Sequence, residues 1–259
     1  VLQKHYDAHG IGLRERLVRD SASMAARFSG SLAPVLNAMQ RTPLFKYVLE
    51  KMVGVSAKRA LPSYARVPFR KFETFGKVGS LGENQPFRKS KTFGKVALFA
   101  DTYLNFHEPN IGKSALHLLQ NCGLEVAVAD VGCCQRPKIS HGFLRDAKRE
   151  GEKTARRLDD LIRQGYAIVV CEPSCASALT DDLPDLLDDE ALGRRLQENV
   201  FPIEVFLQNE LAAGRLDCQF TSPASSIFIH GHCHQKALFG TKAMKDILAR
   251  VENLEILEA

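Results

Sequence analysis

From residue 95 onward the chain repeats one pattern: a short apolar run, a loop, then a segment with helix-period apolar positions. Runs at 96–100, 125–129, 166–170 and 226–230 alternate with helical segments at 111–121, 140–164, 191–198, 203–213 and 234–251. A last strand closes the sequence. Parallel strands need a crossover, usually a helix, whereas a tight turn joins only antiparallel ones. The alternation therefore predicts an α/β fold with a mainly parallel sheet and helices on both faces. In such sheets ligands sit beyond the carboxyl ends of the strands.

The first third is expected to be helical. Residues 1–28 carry helix-period apolar positions interrupted near Gly10 and Gly12, and 32–40 form a second short helix. Thr42 offers a cap, Pro43 suits the first helical position and Gly54 a stop, which brackets a helix over 44–53. That helix is amphipathic. Covering a neighbouring domain is its plainer use, and lying on a membrane surface is the other.

The expected organisation is a helical lead-in over 1–57, a basic linker over 58–94, a first cysteine-rich α/β unit over 95–222, and the start of a second, truncated unit over 223–259. Between Lys58 and Lys95 ten Lys or Arg stand against Glu73 and Glu83, so this stretch carries +8 in a chain of net +5. A solvated linker is the plain reading of such a run; an acidic partner or an anionic lipid surface is the alternative. No nucleic-acid motif accompanies it. The linker holds a direct repeat, in which Phe69-Arg70-Lys71 to Val78 recurs as Phe87-Arg88-Lys89 to Val96, and two copies are too few for a solenoid. No apolar run reaches the roughly 20 residues that span a bilayer, and the first ten residues lack the apolar block of a signal peptide. A cytoplasmic location is expected, with the 44–53 helix admitting attachment to the inner face of the membrane. Because it opens on Val1 within a helix-period segment and closes on a strand, the chain is expected to be an internal piece of a longer polypeptide.

Each strand from residue 95 on runs into a loop rich in possible ligands. Asp101, Asn105 and His107 follow the first, Cys133 and Cys134 the second, Cys171 and Cys175 the third, and His230, His232, Cys233 and His234 the fourth. Soft thiolates select iron–sulfur clusters or zinc. Adjacent cysteines favour a multinuclear cluster, because a mononuclear zinc gains less from the pairing. Gly132, Pro137 and Pro173 hold Cys133, Cys134 and Cys175 in loops, which favours ligation over packing. Cys171 closes an apolar strand and suits packing as well as ligation. Cys122 reads as a core residue at a helix end, and Cys218 shows no partner pattern. Gly112-Lys113-Ser114 resembles the end of a phosphate-binding loop, but the first glycine of that motif falls on His107, and Gly76 to Gly82 lacks a strand–helix context.

These loops resemble a known family. Gly132-Cys133-Cys134-Gln135-Arg136-Pro137, then Cys171-Glu172-Pro173-Ser174-Cys175, then His230-Gly231-His232-Cys233-His234-Gln235-Lys236, are similar to the cysteine-rich "CCG" domain. That domain occurs in the cysteine-rich component of heterodisulfide reductase and in the iron–sulfur component of glycolate oxidase. Phe99-Ala100-Asp101-Thr102 with Asn105, Phe106 and Pro109, together with the helical lead-in, look closest to the C-terminal part of fused FAD-linked D-2-hydroxyacid dehydrogenases. The resemblance implies Rossmann-like βα units, with Cys133, Cys134 and Cys175 as ligands of a first [4Fe–4S]-type centre and Cys233 as the first cysteine of a second copy. Gln135 replaces the glycine of the signature, Asp101 stands where many relatives carry cysteine, and three residues rather than two separate Cys171 from Cys175. His232, His234 and His107 are further candidates, as ligands or as supports of ligands.

The expected function is an iron–sulfur electron-transfer module of an oxidoreductase acting on a D-2-hydroxyacid of the glycolate, D-lactate or D-2-hydroxyglutarate type. The implied partners are a flavin dehydrogenase domain or subunit, with FAD held upstream, and an electron acceptor, a quinone or electron carrier. Two other readings remain at this point: a zinc-bound docking domain without redox work, and thiol–disulfide exchange at Cys133 and Cys134, which requires a low thiol pKa.

Overall fold

The computed structural model describes residues 1–71, 94–216 and 218–258. Most of both copies of the direct repeat and most of the basic linker lie outside the described residues, the second copy entering them only at Gly94 to Val96.

Four strands, β1 (Lys95–Phe99), β2 (Glu125–Ala129), β3 (Tyr166–Val170) and β4 (Val200–Pro202), form one parallel sheet in the order β2-β1-β3-β4. Successive side chains of a strand point to opposite faces, and β1 divides accordingly. Ala97 and Phe99 join one core cluster, while Val96 and Leu98 join the other. The helices Leu144–Arg163 and Glu190–Asn199 cover the first face through Ala155, Leu158, Leu192 and Leu196. Pro109–Asn121 and Ile203–Ala212 cover the second through Ala115, Leu119, Phe206 and Leu207. The α/β class read from the alternation therefore stands, with helices preceding the βα units.

The lead-in folds as Leu2–His9, Leu13–Arg19, Ser21–Phe28, Ala33–Arg41 and Pro43–Val53. The last helix has the bounds its caps require. Thr42 accepts a hydrogen bond from the Phe45 amide at 3.4 Å, Pro43 opens the first turn, and Gly54 stops it at φ 75°. Among the described residues no helix is long and apolar enough to cross a membrane.

Three expectations need correction. The strand near 226–230 does not join the main sheet. As β5 (Ser226–Ile229) it pairs in parallel with β6 (Glu255–Glu258) in a separate two-stranded sheet. The edge of the main sheet is taken by β4, whose three residues are too few to show a period and which ends on Pro202, tolerated because an edge strand need not donate on both sides. Second, the segment 234–251 is not one helix: Gly240 at φ 73° separates a wide turn, Gln235–Phe239, from Lys242–Leu248. Third, Cys122 and Cys218, read as unrelated, form a disulfide with Cα atoms 5.2 Å apart. They lie 96 residues apart, so no local spacing announced the pair.

Candidate metal centre

The loop after β2 is bent into shape by two backbone positions. Gly132 sits at φ 125°, where an added Cβ meets Thr154 Oγ1 at 2.7 Å. Gln135 sits at φ 66°, in the left-handed region that glycine enters freely and other residues enter at a cost of about 1–2 kcal/mol. The glycine of the resembled signature falls on this position, so the backbone supplies its physical reason. Here Gln135 is held by its side chain, which donates from Nε2 to the Cys133 carbonyl at 2.9 Å. Thr154 Oγ1 donates to the same carbonyl at 3.2 Å, tying the loop to the Leu144–Arg163 helix.

Cys175 lies on the short helix Pro173–Ser177 rather than in an open loop. Glu172 caps that helix, accepting from the Ser174 amide at 3.2 Å and the Ser174 hydroxyl at 2.8 Å. Arg136, next but one to Cys134, clamps the two segments together. Its Nε donates to the Ser174 carbonyl at 3.2 Å and its Nη2 to Ser177 Oγ at 2.6 Å and to Asp182. As a result the buried Cys134 and Cys175 sulfurs stand 2.8 Å apart, with half-buried Cys133 beside them. Breaking a partly buried charged network costs about 2–3 kcal/mol. Arg136→Met is expected to lower unfolding free energy by about that amount, measured by urea titration, and to weaken metal loading through lost thiol spacing.

Asp101 follows β1 and caps the Thr102–Phe106 helix. Its Oδ1 accepts from the amides of Tyr103 at 2.8 Å and Leu104 at 3.0 Å. Its Oδ2 is buried with no hydrogen-bond partner. Burial pushes this carboxyl up to about 6. Asp101, Cys133, Cys134 and Cys175 line one cavity of about 790 Å³. A carboxylate with one orphaned oxygen, lining the same cavity as three thiols, belongs to a donor set that an iron–sulfur cluster or zinc would satisfy.

Without a metal these thiols hold their protons. The hydrogen bond to Cys134 and burial push Cys133 well up. For Cys134 a lowering bond with Cys133 is outweighed by Cys175 and burial. For Cys175 the bond with Cys134 lowers the value, and burial carries it up to about 11. Thiol–disulfide exchange needs a ready thiolate, so this environment disfavours that third reading. A thiol that titrates higher folded than unfolded stabilises the fold below the unfolded value and loses that contribution as pH rises through the folded one. The metal-free chain is therefore expected to lose about 2–3 kcal/mol between pH ~9 and ~11 on account of Cys175 alone, seen in urea titrations across pH.

The remaining candidates are placed differently. Alternation carries Val169 to one face, Val170 to the other and Cys171 back again, so Cys171 packs in the cluster opposite that of Cys134 and Cys175. Burial pushes its thiol up to about 12. His107 lines the cavity, but its Nδ1 bonds the Ser63 carbonyl at 3.0 Å. Cys233 forms a second group with His232 and His234, its sulfur 3.9 Å and 3.5 Å from their Nδ1 atoms, and all three donor atoms lie within 4.8 Å. The Gln235–Phe239 turn packs on the Pro173–Ser177 helix, placing this group beside the first. Reasoning from sequence missed the holding roles of Arg136, Thr154 and Glu172. Only Arg136 carried a signal, its place within the cysteine motif.

The chain is similar to one of the subunits of the anaerobic glycerol-3-phosphate dehydrogenase of Escherichia coli strain K12, at 22% identity over 253 residues. That alignment covers 97% of this chain and 61% of the relative. It is also similar to lactate utilization protein A of Halalkalibacterium halodurans, at 27% identity over 62% of this chain and 66% of the relative, and of Bacillus subtilis strain 168, at 25% over 62% and 67%. The chain thus spans less than two thirds of the length of the first two of these. No family model and no solved structure matches. These likenesses fit a cysteine-rich module associated with oxidoreductases.

Proposed function

We propose that this chain is an electron-transfer module of a flavin-linked oxidoreductase, with Cys133, Cys134, Cys175 and Asp101 holding an iron–sulfur cluster of the [4Fe–4S] type. The observation that supports this reading best is the convergence of three thiols and Asp101, whose Oδ2 is buried without a partner, on the lining of one cavity at the carboxyl ends of β1, β2 and β3. When bound, such a cluster supplies one-electron chemistry at a potential set by its ligands, hydrogen bonds and burial. The chain's own residues fix the ligands. Arg136 sets the spacing of the two loops, Thr154 and Gln135 hold the Cys133 carbonyl, and the Tyr103 and Leu104 amides orient Asp101 so that one oxygen stays free. Those outer contacts tune a metal site as much as the ligands do. Cys233, with His232 and His234 near it, is assigned to a second centre.

The named relatives support a partner that oxidises substrate, because one of them belongs to a dehydrogenase. We assign the substrate to the D-2-hydroxyacid class, with FAD in the partner domain, a quinone or electron carrier as acceptor, and a cytoplasmic position. Anaerobic reconstitution with iron and sulfide, followed by iron and sulfide counts and EPR, tests the centre; stoichiometric zinc with no iron overturns it. The zinc reading draws its support from the His232–Cys233–His234 group, whose mixed nitrogen and sulfur donors zinc accepts.

A further inference from the structure

Of the seven cysteines in this chain, Cys122 and Cys218 alone are joined. The other five are free, among them exposed Cys233. An exposed free thiol suits reducing surroundings, where a disulfide that persists is commonly one that breaks and reforms. What this bond holds follows from its place in the chain.

Cys122 ends the Pro109–Asn121 helix and is buried in the cluster on the second face of the main sheet. Cys218 lies between the Ile203–Ala212 helix and β5, where the described residues form neither helix nor strand. Among the described residues from 216 to 224 the one hydrogen bond is local, from the Ala224 amide to Ser222 Oγ at 3.1 Å. Leu216 is buried, Cys218 and Phe220 pack on the same cluster, and residues 221–225 are exposed. The disulfide is therefore the firmest anchor on the path from the main sheet to the two-stranded unit. That unit carries the His232–Cys233–His234 group. Its further ties are noncovalent, among them the packing of Lys242–Leu248 on Ile203–Ala212 and a bond from Gln235 Nε2 to Glu204 at 2.6 Å.

We propose that the Cys122–Cys218 disulfide is a redox-sensitive latch, which holds the two-stranded unit against the main sheet and releases it on reduction. The reductant is a dithiol. One of its thiolates attacks the half-buried sulfur of Cys218, the accessible end, and buried Cys122 leaves and takes up a proton. The second thiol of the reductant then resolves the mixed disulfide and frees Cys218 as a thiol. Two electrons and two protons pass to the chain, and the dithiol ends as a disulfide. With the bond open, the connection to β5 starts at Ala212 instead of Cys218, at nearly twice the length. Doubling a flexible loop lowers its probability of closing about threefold, and the packing of Cys218 and Phe220 loosens as well. A two-stranded sheet has little stability of its own to resist this. The latch stands on the path of the chain and does not rest on which metal the cysteines hold.

Hydrogen exchange of the full metal-free chain, with and without about 1 mM reduced dithiothreitol, tests the latch, while alkylation and mass spectrometry follow the bond itself. Reduction without denaturant is expected, with exchange in β5 and β6 rising at least threefold while β1 and β3 keep their protection. Cys218→Ala should exchange at the faster rate with or without dithiothreitol. Reoxidation of the reduced chain by glutathione disulfide needs no variant and should restore the slow exchange. A bond that resists dithiothreitol in the folded chain overturns the redox sensitivity. Unchanged exchange in β5 and β6 after reduction overturns the latch. Exchange that rises equally in β1 and β3 makes the bond a staple of the whole fold and overturns the latch as well. Each of these results is read without iron, so the outcome is separate from that of metal reconstitution.

Discussion

Cys134→Ser is expected to abolish stable metal loading while the chain still folds. The sulfur of Cys134 lies in the core cluster, 2.8 Å from that of Cys175, so its loss removes a central thiolate and not a peripheral one. Structural metal sites with about four ligands are worth about 10–16 kcal/mol. Removing one ligand should therefore cost about 3 kcal/mol or more, a hundredfold or greater fall in affinity. The direct cost to the metal-free fold is smaller, about 1–2 kcal/mol for a buried hydroxyl that can bond Cys175. Cys171→Ser is the matched comparison, because that residue packs on the opposite face and its replacement should leave iron content unchanged. Iron and sulfide counts on the two purified variants settle the matter: equal loading in both would remove Cys134 from the centre.

Asp101→Asn is expected to weaken metal loading by about ten- to a hundredfold, the usual scale for an altered metal environment, and to change the pH response of the metal-free chain. The side chain has two separable tasks. Its Oδ1 caps the Thr102–Phe106 helix, which asparagine continues to do, while its buried Oδ2 has no partner. The carboxyl titrates near 6 in the fold, above the ordinary value near 3.9, because burial penalises its charge. A raised carboxyl contributes fully at low pH and loses its contribution as pH rises to the folded value. The metal-free chain should therefore lose about 2–3 kcal/mol between pH ~4 and ~6. In Asp101→Asn that fall should vanish, and urea titrations across pH would show it. Asp101→Cys supplies the thiolate in place of the carboxylate and should retain iron more firmly. If all three proteins load iron equally, Asp101 is a helix cap and nothing more.

Much of the architecture was legible because local chemistry and global fold agree in it. Thr42, Pro43 and Gly54 bracket a helix whose observed bounds follow from them, and the five-residue runs at 125–129 and 166–170 are the strands β2 and β3. The placement of Cys133, Cys134 and Asp101 beyond strand ends follows from the parallel sheet alone. What escaped was non-local. Nothing in Ser226–Ile229 states which strand it pairs with, and β4 is too short to show a period. Cys175 was expected in a loop because Pro173 precedes it by two residues, yet proline is also at home in the first turn of a helix, which is where it sits. The face taken by Cys171 was available from alternation through Val169 and Val170. Seeing it required extending the strand's period one residue past its end.

The division into two sheets separates the two cysteine groups by the depth of opening each requires. Cys134 and Cys175 are fixed in a core cluster that runs from β1 and β3 into the helices Leu144–Arg163, Pro173–Ser177, Leu183–Leu186 and Glu190–Asn199, so exposing them means losing most of that face. Cys233 follows β5, one of two strands whose side chains are mostly solvent-facing, and a two-stranded sheet is marginal without further packing. Local openings of such a segment cost far less than global unfolding. On the proposed assignment, a metal held through Cys233 is therefore expected to exchange on a timescale at which one held through Cys134 and Cys175 stays closed in, one labile and its neighbour inert within a single chain.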